Sequence, residues 1–329
     1  MPLLEENASE APNLAPHFVF AYTMDGKGGC GDVTAQTDDT AHRWFHLDYS
    51  ERSAAHSLAS LGLDDGLIDS LTRSDTRPRT VVMEDGILVA LRAVNVNPGA
   101  VPEDMVSLRL WIEPTRLITV RQRRLFSVQD VRESLLEGRG PNDISELVVQ
   151  IIENLADRIA EFVDVLQDRV AAFEENAETS RLAGVRSQVA ALRRQTATVR
   201  RYLAPQREAL EVLFRQALQV MDEDHAHTIR EQSDRIVRYV EDLDLVREQA
   251  LVLQEELLNS IMEQQNARMY VLAIISVVFL PITFLTGVFG MNVAGLPGTE
   301  SPSAFWVVAG VTLSSVTFTV VVLKRKHWF

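Results

Sequence analysis

The stretch Met269–Phe289, MYVLAIISVVFLPITFLTGVF, followed at once by Gly290-Met291-Asn292, decides the architecture of this chain. It carries no charge over 21 residues, and a second uncharged run, Ala304–Leu323, covers 20. At about 1.5 Å rise per residue, either run crosses roughly 30 Å of hydrocarbon as a helix. Only fourteen residues, Gly290 to Ser303, join the two, enough for a re-entry loop but not for a domain. Two buried helices of a soluble core are the alternative reading. It fits poorly, because core helices of this length keep a polar face.

Charge sets the expected orientation. The joining loop has no Lys or Arg and one acid, Glu300, whereas Arg268 precedes the first run and Lys324-Arg325-Lys326 follows the second. The positive-inside rule then places both termini in the cytoplasm and the loop outside, in a multi-pass protein of the inner membrane. Residues 1–20 show neither the basic start nor the apolar stretch of a signal peptide, so the sequence ahead of the first span is expected to stay cytoplasmic.

The formal net charge is −14, and the acid lies outside the spans. That argues against a nucleic-acid partner, which needs a basic face, and suits the attraction of cations. The single cysteine, Cys30, cannot form an intrachain disulfide, which fits a reducing compartment. It sits in Gly26-Lys27-Gly28-Gly29-Cys30-Gly31-Asp32, which lacks the Gly-Lys-Ser/Thr ending of a phosphate loop and reads as a plain turn. No His-Glu-x-x-His, nucleotide loop or paired-cysteine zinc pattern is present, so the sequence gives no sign of an enzyme.

Seven segments are expected. Residues 1–16 read as a disordered tail, 17–126 as a cytoplasmic α/β domain and 127–227 as a cytoplasmic helical region. Residues 228–289 read as one long helix that includes the first span, 290–303 as the outer loop, 304–323 as the second span and 324–329 as a basic tail. Within the first domain, Arg43–Leu47 predicts a strand, and Glu51–Leu61 and Asp64–Leu71 predict helices. Two hairpins turn at Asp85-Gly86 and Pro114-Thr115. The sheet is therefore mixed or antiparallel. Further on, Arg132–Glu137 predicts a short helix, Asp143–Glu175 a long one, and Thr179–Met221 another that Pro205 is expected to interrupt.

Counting back from Gly290 in alternating steps of three and four gives Gly287, Thr283, Leu280, Ser276, Ala273, Met269 and Asn266. Five of these seven are small, hydroxylic or amide-bearing, whereas their neighbours are Val, Ile, Phe and Leu. One physical reading is a narrow wet path with Leu280 and Met269 as apolar constrictions. Close helix packing through small residues explains the same stripe. Continued toward the N-terminus, the count meets Glu255, Glu248 and Glu241, an acidic extension that would concentrate cations at an inner mouth, or else a solvated face. His225-Ala226-His227, beside Asp222, Glu223 and Asp224, reads first as a solvated turn and second as a candidate low-affinity metal cluster; Glu255 is the other candidate ligand.

These residues resemble the CorA superfamily of divalent-cation transporters. Gly290-Met291-Asn292 at the outer end of the first of two C-terminal spans carries the resemblance. Asn266, Met269, Pro281, Thr283, Gly287 and the basic-proline segment Arg200–Arg207 extend it. It implies an α+β cytoplasmic domain followed by long helices in a homopentameric funnel whose first spans line a central pore, embedded in membrane lipid. Selection at Gly290, Met291 and Asn292 would act on a hydrated cation. The loop continues Val293-Ala294-Gly295-Leu296-Pro297-Gly298, unlike the acid-containing loop of magnesium-transporting members and similar to the zinc-transport, ZntB-like branch. The resemblance therefore implies Zn²⁺ before Mg²⁺, with Co²⁺, Ni²⁺ and Cd²⁺ as further transported or regulatory ions, possible coupling to protons, and no cofactor. A membrane-anchored scaffold or sensor is the reading from another class, and it needs neither the stripe nor the loop.

Overall fold

The computed structural model describes residues 18–34, 40–51, 53–74, 77–176, 182–291 and 301–325. The chain forms two compact units, residues 1–254 and 255–329.

The first unit is built on a seven-stranded sheet in the order β2-β1-β3-β7-β6-β5-β4. Its strands are β1 (Phe18–Met24), β2 (Cys30–Asp32), β3 (Arg43–Asp48), β4 (Arg79–Val82), β5 (Ile87–Ala93), β6 (Val106–Ile112) and β7 (Arg116–Arg121). Only β3 and β7 run parallel, so the sheet is mixed; every other pair is antiparallel. Central strands β5 and β6 are buried almost throughout, as strands covered on both faces must be. Phe45, Leu47, Leu88, Trp111, Ile118 and Val120 meet α1 (Ala54–Ser60) and α2 (Asp65–Thr72) on one face through Leu58, Leu67, Ile68 and Leu71. Asp64 starts α2 by accepting the amides of Gly66 and Leu67, the usual remedy for orphan N–H groups.

The other face is covered by α3 (Phe126–Leu136), α4 (Ile144–Asn176) and α5 (Leu182–Gln216). Here a buried polar network closes on itself. Arg121 Nε donates to His46 Nε2 at 3.0 Å, which puts the imidazole proton on Nδ1, 2.7 Å from Thr119 Oγ1. Thr119 also accepts from Trp44 Nε1 and donates to the Phe45 carbonyl. Burial first, and then the positive charges of Arg121 and Arg132, hold the His46 pKa well below the usual histidine value.

Asp25 to Gly29 form the β1–β2 hairpin turn, and Cys30-Gly31 open β2. Asp25 accepts the amides of Lys27 and Gly29, which lowers its pKa, and Gly28 takes φ +88° with its carbonyl bonded to the Gly140 amide at 2.8 Å. A side chain there would sit 3.0 Å from the Gly140 carbonyl oxygen, so close backbone approach accounts for the glycine.

Helix α5 buries Val185, Val189, Leu192, Thr196, Val199, Leu203, Gln206, Leu210 and Leu213, an unbroken alternation of four and three. It continues without a break through Pro205, contrary to the expected interruption. The lost bond falls to the carbonyl of exposed Arg201, while the buried flanks Leu203 and Gln206 hold the helix in place. Where β4 stops pairing at Ala90, Gln206 Oε1 accepts the next outward N–H of β5, that of Arg92, at 2.7 Å. Thr80 Oγ1 reaches the Ala209 carbonyl, so α5 closes this end of the sheet.

Helix α6 (Glu223–Phe289) begins five residues before the expected 228, at a cap supplied by Asp222, and continues without a break through Pro281 for 67 residues. Its buried positions Ile229, Ile236, Leu243, Ala250 and Leu257 recur every seven, with Val246 and Leu253 between them. Within the first unit this seam meets α5 in antiparallel register, marked by Arg207–Ser233, Arg200–Asp244 and Arg193–Gln254. The last helix, α7, covers Ala304–Arg325.

A candidate ion path along the face of α6

In the second unit, α6 half-buries Ile274, Val278, Pro281, Leu285 and Val288, and α7 half-buries Ala304, Val308, Thr312, Ser315 and Thr319 and buries Leu323. This is the pattern of two helices packed side by side. Ala273, Ser276, Leu280, Thr283 and Gly287 lie about 140° around α6 from that stripe at 100° per residue. All five are exposed in the single chain, as are Asn266 and Met269, with Met269 at 66% and Leu280 at 69%. The stripe is therefore not covered by α7 of its own chain.

Two hydroxyls of this segment bond back to their own helix, a bond that needs no water. Ser276 Oγ donates to the Leu272 carbonyl at 2.9 Å and Thr286 Oγ1 to Ile282 at 3.0 Å. Each leaves its oxygen lone pairs for an outside donor or cation. Gly290 closes the helix by donating to Thr286; a side chain there would place its Cβ 2.9 Å from that carbonyl oxygen. Met291 follows, half-exposed, and Asn292 lies outside the described residues.

Toward the N-terminus, Glu241, Glu248 and Glu255 are exposed on the side of α6 opposite its buried seam. Among the described residues none of the three enters an ion pair, whereas Asp244, which lies between Glu241 and Glu248 on the same side of the helix, binds Arg200 at 2.6 Å and Arg247 at 3.8 Å.

The histidine cluster has a different geometry from a metal centre. Asp222 Oδ1 accepts the His225 amide at 2.9 Å and lies 2.6 Å from His225 Nδ1, contacts that pull its pKa down. It is a helix N-cap with a side-chain partner. His227 packs against Phe214, with Glu223 4.0 Å from its Nε2. Glu255 lies 28 residues further along α6, about 42 Å at 1.5 Å per residue, so it cannot join these histidines in one protomer. Among the described residues no three His, Cys, Asp or Glu side chains gather to hold a metal ion.

Sequence reasoning did not name three contributors. The α7 stripe of Thr312, Ser315 and Thr319 was signalled by hydroxyls at helical spacing in an apolar run. The Thr196 and Gln206 positions of the α5 seam were hidden because polar residues interrupt an apolar count. The β1–β2 hairpin gave no signal beyond its glycines.

A sheet-and-helix body continued by one helix into a two-span apolar hairpin, with a small polar stripe turned away from the second span, defines a membrane protein of the ion-transport type. The chain belongs to the CorA-like Mg2+ transporter protein family, whose model matches residues 39–325. It is 38% identical over 319 residues to the divalent cation transporter CmaX of Pseudomonas aeruginosa, covering 94% of this chain and 96% of that protein. It is 32% identical over 313 residues to the zinc transport protein ZntB of Yersinia enterocolitica, covering 94% and 95%. The solved structure of full-length CmaX superposes with a TM-score of 0.83 at 36% identity, over 97% of this chain and all (100%) of that one. The CorA magnesium transporter of Methanocaldococcus jannaschii gives 0.81 at 17% identity, over 94% and 99%, a likeness of fold.

Proposed function

We propose that this protein carries divalent cations, Zn²⁺ before Mg²⁺, through the central pore of a homopentamer in the inner membrane, with both termini cytoplasmic. The observation that carries the reading is the exposed stripe of Ala273, Ser276, Leu280, Thr283 and Gly287 opposite the α7-facing side of α6. Two spans of one protomer cannot enclose an ion path, and a ring of five first spans gives this stripe a shared wet lumen. Glu241, Glu248 and Glu255 extend it as an acidic inner approach, and Gly290, Met291 and Asn292 form the outer selectivity ring. Met269 and Leu280 are the apolar constrictions.

Zinc is favoured by the Gly295- and Pro297-containing loop and by the relatives named for zinc transport. With no His or Cys on the stripe, the ion passes hydrated and weakly held. Flux of Zn²⁺ and Mg²⁺ into liposomes containing the purified protein, with and without a pH gradient, tests the reading. Faster Zn²⁺ flux supports it, and a gradient dependence would identify protons as the coupled ion. Mg²⁺ flux without Zn²⁺ flux would move the protein to the magnesium branch, and no flux of either would favour an anchored sensor.

A further inference from the structure

In the first unit, a pocket of about 200 Å³ opens between the β5–β6 end of the sheet and α5. Tyr49, Arg92, Ser107, Gln122, Arg123 and Tyr202 line it, with Asp104 at its rim. Its chemistry is lopsided toward donors. Ser107 is 7% exposed, and its hydroxyl is buried without a hydrogen-bond partner, a group that folding has taken from water without compensation. The Arg92 guanidinium lies 4.8 Å over the Tyr202 ring and donates to the Met105 carbonyl at 2.9 Å. Gln122 accepts from the Tyr49 hydroxyl through its Oε1, which turns its amide NH₂ away from that bond. The Asp104 carboxylate is engaged by Arg123 at 2.7 Å, where both side chains are more than half exposed at the solvent mouth. Behind Tyr49, the buried Arg109 guanidinium stacks on that ring at 4.4 Å, and burial together with the charges of Arg92 and Arg79 lowers its pKa.

We infer that this pocket binds a compact oxyanion, of the phosphate or short-carboxylate class, with Ser107 Oγ–H and the Arg92 and Arg123 guanidinium groups as donors. An oxyanion offers several acceptor lone pairs in a small volume and satisfies the Ser107 hydroxyl with a charge-assisted bond. The pocket takes walls from the sheet and from Tyr202 of α5, so the anion would bridge the two. Tyr202 lies within the basic-proline segment Arg200–Arg207, which thereby gains a binding role beside its docking one. The site is separate from the proposed ion path.

The test is calorimetric titration of the full-length protein in detergent, free of divalent metal, with inorganic phosphate in one arm and acetate in the other, and with chloride as the spherical control. Expected is saturable binding of phosphate, acetate or both, chloride giving none. Ser107→Ala should weaken it at least about tenfold, the loss of one hydrogen bond to a charged group. This variant removes a partnerless hydroxyl, so its thermal midpoint without ligand should match or exceed that of the wild type, which separates lost binding from lost folding. Binding of neither oxyanion, or equal affinity in Ser107→Ala, would overturn the proposal.

Discussion

Replacing Glu241, Glu248 and Glu255 together by Gln isolates the electrostatic part of the proposed path. The three side chains are exposed and lie opposite the buried Leu243–Leu257 seam, so the substitution leaves the packing of α6 untouched. They are seven residues apart, about 10 Å along the axis, close to the Debye length of about 8 Å at physiological ionic strength, so neighbouring rings reinforce one another and a single ring sets the lower bound. Take five carboxylates of one ring at about 10 Å from an axial divalent cation in a water-like dielectric. Their summed attraction, screened to roughly 0.3 of its bare value, raises the local cation concentration about eightfold. At about 0.5 M salt the Debye length falls to roughly 4 Å, and the enrichment falls below about twofold. Zinc flux at subsaturating concentration into liposomes should therefore drop at least about eightfold in the triple variant at physiological salt, and less than about twofold at high salt. A metal-triggered gate gives another signature, a variant that is constitutively open and indifferent to internal cation. Equal flux of wild type and variant at both ionic strengths would refute the acidic approach.

Three further outcomes are expected. Leu280→Asn should wet the constriction and raise the metal leak of reconstituted protein, and if cysteine labelling finds position 280 facing lipid with leak unchanged, the stripe is in the wrong register. Asn292→Ala should leave assembly intact on size-exclusion chromatography while abolishing or broadening cation selectivity; wild-type selectivity would remove Asn292 from the filter. His46 is held neutral in the folded state with its pKa below the unfolded value near 6.5, so its contribution is complete above that pH. As pH falls below about 6.5 the unfolded chain alone binds the proton, and stability should decline by about 1.4 kcal/mol per pH unit until the folded pKa is reached. His46→Gln should flatten the decline of the thermal midpoint below about pH 6.5, and an unchanged slope would assign the acid sensitivity elsewhere.

The membrane hairpin and the long helix were legible because their signal is local: an uncharged run of spanning length and a seven-residue recurrence need no knowledge of partners. The mixed sheet was legible as a class, and four of its strands were announced by two turn-bounded hairpins. Its order was not, because the β3–β7 parallel pairing joins residues some 70 positions apart, His46 to Thr119 among them, and no spacing in the sequence reports that. Pro205 misled for a related reason. Intrinsic propensity breaks a helix there, but the buried contacts of Leu203 and Gln206, including the bond to β5, outweigh one lost backbone hydrogen bond. The histidine pair looked like a metal cluster because sequence adjacency brings donors together on paper, while the helix start at Asp222 assigns its carboxylate to the backbone.

The small-residue stripe poses the sharper question, since its meaning depends on what lies against it. From sequence, close packing and a wet lumen were equally good explanations. Within one protomer the packing explanation would have required the stripe to be covered by α7, yet the stripe is exposed and the half-buried positions Ile274, Val278, Pro281, Leu285 and Val288 lie on another side of α6. Leaving Ser276, Thr283 and Gly287 toward lipid would expose hydroxyls and backbone to hydrocarbon while large apolar neighbours stood available for that role. On the proposed reading, a stripe left uncovered within one protomer is what an oligomer would turn toward copies of itself around an axis. With a cation path along that axis, the same register that places Ser276 and Thr283 on the lumen brings Glu255, Glu248 and Glu241 to its cytoplasmic approach. The oligomer and the ion path are therefore one inference, and a variant that abolished assembly without abolishing flux would break both at once.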